Sequence, residues 1–148
     1  MKIDERVIED KLDTIDRNIN FLKEYRETSP ESFKACYKDI QAVKFSLLEI
    51  IEASIDIANH IISVKGYRRA GSYSELFLIL KEEGVLDEEL AERLSDMARF
   101  RNLLVHRYGE VDDNRVLEIA KNNIEDVISF EKKLLSMINK KDKACKKK

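Results

Sequence analysis

What most constrains this chain is how little it contains to turn the backbone. Its 148 residues include one proline, Pro30, and four glycines. Sandwiches and barrels depend on frequent Gly- and Pro-rich turns, so this composition favours long helices with few breaks. The apolar residues keep helical time. Ile3, Val7, Ile8, Leu12, Ile15, Ile19 and Leu22 recur at steps of three and four and predict a helix over 3–27. "TSPES" interrupts it, and Ser29 before Pro30 signals a new start. A long helix is predicted over 30–64, ended by Gly66. "GYRRAGSYSE" reads as a loop, with Ser72 or Ser74 capping a short helix over 74–83 that Gly84 closes. Asp87 caps the next helix, which runs to about 107 and is stopped by Gly109. The last spans about 114–139.

The expected fold class is all-α: a helical bundle of four long helices plus one short helix. The chain reads as one domain over 1–139, followed by a lysine-rich tail at 140–148 that is expected to be flexible. That tail, "KKDKACKKK", carries +5, which leaves −7 on the rest of a chain whose net charge is −2. Broad basic affinity for nucleic acid is therefore excluded, although a local basic cleft is not. No apolar run reaches the roughly 18 residues of a membrane span, and the charged start "MKIDERVIEDKLD" lacks the apolar centre of a signal peptide. Cys36 and Cys145 are far apart, which argues against a structural disulfide and for a reducing cytoplasm. Charged residues make up 38% of the chain against a single glutamine, Gln41, a bias shared with thermophile proteins.

One stretch departs from the apolar-and-charged rhythm. "RNLLVHRY" packs Arg101, Asn102, His106 and Tyr108 into eight positions. On a helical wheel, Leu90, Leu94, Met97, Leu104 and Tyr108 all fall within about 60° of Arg101. Arg101 thus lies in the middle of an apolar stripe, where a lone guanidinium is costly to bury. It must face a cleft, an interface or a carboxylate. Asn102 and His106 lie about 100° and 140° away, so one ideal helix does not place arginine and histidine on one face. On spacing alone, a salt-bridge cluster is the reading to beat.

The long second predicted helix carries a matching oddity. Glu49, Glu52, Asp56, Asn59, His60 and Ser63 cluster on one side of an otherwise apolar surface. A solvated face explains most of them. Asp56 or Glu52 is also placed to reach Arg101, and a carboxylate–guanidinium pair of that kind can be bidentate.

"RNLLVHRY" resembles the Arg-x4-His-x-Tyr motif of the HEPN superfamily. "EASIDIANHII", "SYSELFLIL", "GVLDEELAERLSDMARFRNLLVHRYGEVD" and "ISFEKKLL" are similar to the HepT-like branch, so the resemblance covers roughly residues 3–137 and is most specific over 94–113. It implies a HEPN-like helical bundle. It also implies a homodimer that brings two Arg-x4-His motifs to one cleft. The implied activity is that of a metal-independent ribonuclease toxin, neutralised by a minimal nucleotidyltransferase (MNT) antitoxin. Tyr108 is the implied acceptor of AMP from that antitoxin.

The chemistry is consistent with these residue types. RNA supplies its own nucleophile, the 2′-hydroxyl. Histidine changes charge near neutral pH, so His106 can serve as base or acid. Arg101 can fork onto phosphate oxygens, and Asn102 can fix the imidazole or the phosphate. One histidine per motif supplies one proton-transfer group, and a dimer supplies two. His60 is expected to be structural or a surface residue. Arg68, Arg69, Arg99 and Arg107 are candidates to lead RNA phosphates in, each also readable as a plain surface charge. No cofactor or metal is expected, since two histidines without a Cys/His/Asp set at ligand spacing offer no site. The alternative reading is a non-catalytic helical subunit that binds a nucleotide or a nucleotidyltransferase partner. The two part on whether unmodified protein cuts RNA.

Overall fold

The computed structural model describes residues 2–146, with side chains through Ile138. Beyond Ile138 the lysine-rich tail, Cys145 included, lies outside the described side chains. The described residues form helices joined by short connections, with no strand among them. No described helix is long and apolar enough to cross a membrane.

Helix α1 (Glu5–Leu22) starts where the Asp4 carboxylate accepts from the Arg6 and Val7 amides, and a 3-10 turn (Lys23–Tyr25) extends it. Short α2 (Pro30–Ala35) follows its Ser29 cap, and α3 (Tyr37–Lys65) is the longest element. It ends on Gly66 at φ +68°, a left-handed conformation that a side chain would disfavour. Next come α4 (Tyr73–Glu82) and α5 (Glu88–His106). A final helical run is built of α6 (Asp113–Glu118), a π turn (Ile119–Asn123) and α7 (Ile124–Lys146).

Helix α3 is central: α1, α4, α5 and α6 all pack on it. Its inward row, Val43, Leu47, Ile50, Ser54, Ile57 and Ile61, alternates steps of four and three and is fully buried. Each aliphatic side chain in that row contributes on the order of 1.5–3 kcal/mol through burial. Ser54 joins it because its hydroxyl donates to the Ile50 carbonyl at 2.8 Å. Helices α4 and α5 form a second pair, and Phe77 meets Phe130 edge-on at 5.8 Å to tie α4 to α7.

Two predicted helices are interrupted. The helix expected over 30–64 breaks at Cys36, whose backbone is extended at φ −118°, ψ 96°. The break swings α2 so that Phe33 is wholly buried against Tyr25, with ring centroids 6.2 Å apart. The last helix contains the π turn, one extra residue in the helical path that re-aims the following apolar face. Val116 and Leu117 before it, and Val127, Phe130 and Leu134 after it, are all buried. Neither break has a proline or glycine to announce it.

Candidate active site

Helix α5 begins at Asp87, whose carboxylate accepts from the Leu90 amide at 2.8 Å. Its apolar stripe, Leu90, Leu94, Met97 and Leu104, is buried. Arg101 lies in that stripe, and its side chain is only 16% exposed. Its Nε donates to Glu52 Oε1 of α3 at 2.6 Å. The contact is through Nε alone, so the expected bidentate fork does not form. The terminal nitrogens have one described hydrogen bond, from Nη1 to Asn102 Oδ1 at 3.5 Å, the outer limit for such a bond. On its other side the guanidinium lies 4.7 Å from the ring centroid of Tyr73, the first residue of α4. A carboxylate, an amide and an aromatic face thus hold this cation, with its terminal fork still available to an anion.

The other carboxylate offered for Arg101, Asp56, pairs instead with Lys11 of α1 at 2.9 Å. Four residues beyond Glu52, it is turned about 40° further round α3 and borders the same cleft as Asn102.

Asn102 and His106 share a side of α5, and both are exposed. Asn102 borders a cleft of about 700 Å³ between α3, the 66–72 loop and the start of α4. His106 is the last residue of α5, and its imidazole makes no hydrogen bond among the described residues. His60, by contrast, accepts the Asp4 amide at 2.9 Å and ties the start of α1 to α3. Leu103 and Val105, beside His106, are 40% and 43% exposed.

Gly109 is not what stops α5. Arg107 leaves the helix at φ −137°, ψ 43°, and Tyr108 begins a 3-10 turn (Tyr108–Glu110). Tyr108 therefore leaves the α5 wheel and turns onto α3. Its hydroxyl donates to Gln41 Oε1 at 2.8 Å. The phenol is half-buried, and burial, then the neighbouring Tyr37, raises its pKa. Lys44 of α3 is buried, donates to the Tyr108 carbonyl at 3.1 Å and lies 3.8 Å from Asp113.

The candidate phosphate guides separate. Arg68 is clamped by Glu75 and Glu82, which raise its pKa, so it is not a free guide for RNA. Its position after Gly66 aims it along α4, and Glu75 also accepts the Gly71 amide at 2.7 Å. Arg99 pairs with Asp96 at 2.6 Å, and Arg107 lies 3.9 Å from Glu110. Both remain largely exposed. Arg69 makes no ion pair among the described residues and borders the cleft. Among the described residues no group of three or more His, Cys, Asp or Glu side chains could hold a metal ion.

Sequence reasoning missed Gln41, Lys44 and Tyr73. Lys44 had a signal of the same kind as Arg101, a single charge beside the apolar Val43–Leu47 step. Gln41 and Tyr73 had none.

Comparison with known proteins places this arrangement. A family model described as ribonuclease HepT-like matches residues 15–134. A tRNA nuclease HepT from Aphanizomenon flos-aquae is 32% identical over 111 residues, 74% of this chain and 75% of its own length. An mRNA nuclease HepT from Shewanella oneidensis is 30% identical over 84% of this chain and 92% of its own. Among solved structures, a tri-AMPylated Shewanella oneidensis HEPN toxin in complex with MNT antitoxin superposes with a TM-score of 0.80. It is 27% identical, covering 88% of this chain and 97% of that one. With the family model spanning most of its length and the curated nucleases aligned along it, the chain belongs to the HepT-like ribonuclease family.

Proposed function

We propose that this protein is a metal-independent endoribonuclease toxin of a cytoplasmic toxin–antitoxin pair, active as a homodimer. The observation that carries the reading is Arg101: a largely buried guanidinium held through Nε by Glu52, its fork unspent, five residues before an exposed His106 on the same helix. A salt bridge alone has no use for the exposed imidazole.

In the proposed reaction the RNA 2′-oxygen bonds to the adjacent phosphorus as the bond to the 5′-oxygen breaks. The products are a 2′,3′-cyclic phosphate and a 5′-hydroxyl. One His106 takes the 2′-hydroxyl proton, and the second copy's His106 protonates the leaving oxygen. Arg101 neutralises the phosphate oxygens as charge gathers there. Asn102, beside the arginine's fork, orients the phosphate. The exposed Leu103 and Val105 favour a second copy covering this end of α5, because apolar side chains flanking a histidine gain by burial.

Tyr108 is the proposed switch. An MNT-type nucleotidyltransferase transfers AMP from ATP to its hydroxyl oxygen: the new O–P bond forms as the bond to pyrophosphate breaks, the phenol proton is lost, and the side chain leaves Gln41. The added phosphate competes with RNA for Arg101, and its bulk obstructs the dimer cleft. The relative described as tri-AMPylated and bound to MNT antitoxin supports this step.

The test is cleavage of single-stranded RNA by purified, unmodified protein in EDTA. Activity lost in both Arg101→Ala and His106→Ala, with the dimer intact by light scattering, is the expected result. Equal cleavage by wild type and both variants ends the claim. So does no cleavage by wild type together with a stable nucleotidyltransferase complex, which is the behaviour of a non-catalytic subunit.

A further inference from the structure

The cleft that Asn102 borders extends beyond the groups given a role in the chemistry above. It lies between the C-terminal half of α3, the 66–72 loop and the first turn of α4; Asn59, Tyr67, Arg69 and Tyr73 line it with Asn102, and so does Asp56, whose charge is met by Lys11. Three features set it apart from an ordinary surface hollow. It holds two tyrosines: Tyr67 is partly buried against the core, and Tyr73 is 44% exposed. One face of Tyr73 meets the Arg101 guanidinium, so the ring links the cleft directly to the phosphate-binding cation. Finally, Arg69 is an exposed cation with no ion pair among the described residues, while Arg68 beside it is held by two carboxylates.

The clamp on Arg68 gives the cleft its shape. With Arg68 bound to Glu75 and Glu82, and the Gly71 amide bound to Glu75, the loop is fastened along α4. The Tyr67 amide donates to the Ile62 carbonyl at 3.0 Å, which fixes the start of the loop on α3. The aromatic walls are therefore held before any ligand arrives, which lowers the entropy lost on binding. The volume, about 700 Å³, lies in the range of small-molecule sites and admits a nucleoside.

We propose that this cleft binds an unpaired RNA base next to the scissile phosphate, the base stacking on Tyr73 against the wall formed by Tyr67, and its outer phosphate meeting Arg69. The proposal rests on the ribonuclease reading above. Single-stranded RNA is recognised by this combination of aromatic platforms and a cation tracking the backbone. The amides of Asn59 and Asn102 each donate and accept, which suits the hydrogen-bonding edge of a base. Asn102 stands four residues before His106 on one side of α5, about 6 Å along the axis, so a base seated here leaves its phosphate near Arg101 and His106. Paired bases cannot enter, and the site selects loops and single strands.

The test compares wild type with Tyr67→Ala, Arg69→Ala, Arg69→Glu and Tyr73→Ala on a single-stranded RNA of mixed sequence and on the same RNA annealed to its complement. Product ends are sequenced and kcat and KM measured separately. Binding is read independently by anisotropy of a fluorescein-labelled single strand in a His106→Ala background, where no cutting confuses the signal. The expected result is that wild type prefers the single strand and shows a base preference beside the cut. In Tyr67→Ala and Arg69→Ala, KM and the anisotropy Kd should rise about tenfold, the scale of one lost stack or phosphate contact, while kcat stays within a few-fold and the preference flattens. Tyr73→Ala should both raise KM and lower kcat, since it touches Arg101. Wild-type cleavage with unchanged KM, Kd and base preference in Arg69→Ala and Arg69→Glu, which alter only an exposed side chain, overturns the subsite and leaves the ribonuclease reading standing. Wild type that cuts no RNA overturns both.

Discussion

Lys44 Nζ stands 4.4 Å above the centroid of the Tyr108 ring and 3.1 Å from the Tyr108 carbonyl oxygen, so one buried lysine of α3 grips both ends of a residue 64 positions away. That grip anchors the turn following α5. Lys44→Met keeps most of the packing volume and removes the donor. It should lower stability by about 1–3 kcal/mol, the scale of a buried hydrogen bond with a cation–π contact. Urea unfolding followed by circular dichroism reads the loss, and amide exchange should quicken first at 108–110. An unchanged midpoint would show that the lysine does not hold the turn.

Glu52 holds Arg101 by one oxygen. Glu52→Gln retains an acceptor for Nε and should lose less RNA cleavage than Glu52→Ala, which frees the arginine to move. Arg101→Lys should fall at least about 100-fold in kcat, because an ammonium on a flexible stem does not reproduce a fork preplaced at the phosphate. Single-turnover cleavage at saturating protein measures each, and a fully active Arg101→Lys would show that charge alone suffices.

Tyr108→Phe loses the hydroxyl bond to Gln41 and keeps the ring beneath Lys44. Its stability should stay within about 1 kcal/mol of wild type. After co-expression with an MNT-type nucleotidyltransferase, intact mass should show AMP increments on wild type and none on the variant. Increments that persist on Tyr108→Phe would place the acceptor elsewhere.

Glu131 of α7 has a buried Oε1 with no hydrogen-bond partner. Burial and the Asp16 carboxyl of α1 push its pKa up from 4.5 to about 8. A carboxyl that is partly buried beside a second carboxyl is cheaper to keep neutral than charged, so the folded protein retains a proton there that the unfolded chain releases. Stability from this pair is present below the ordinary carboxylate range and is lost as pH climbs from about 4.5 towards 8. Glu131→Gln should flatten that decline. Thermal midpoints from pH 5 to 9 test it, and parallel slopes for variant and wild type would rule the proton out.

Phe33 is wholly buried and is what draws α2 away from the line of α3. Phe33→Ala should cost about 3–5 kcal/mol. Calorimetric or urea unfolding measures the loss, and protease cleavage near Cys36 should rise well before global unfolding. Resistance equal to wild type would mean that α2 is held by something other than this ring.

The sequence by itself determined the helical class, the Ser29 and Asp87 caps, a serine cap at 72 or 74 that the structure assigns to Ser72, and the stripe that places Arg101 among buried leucines. These follow from local chemistry: a period of 3.6 residues, an oxygen that caps free amides, and a glycine that accepts positive φ at Gly66. The choice of Glu52 over Asp56 as the arginine's partner was not local, nor was the turn of Tyr108 onto Gln41, nor the kink at Cys36. Those contacts join residues 49 and 67 positions apart, or depend on where a helix must bend to bury one ring. A wheel ranks the faces of one helix, but it holds no information about the angle at which two helices cross. A difference of about 40° around α3 sends one carboxylate to Arg101 and the next to Lys11, and only the packed bundle decides it.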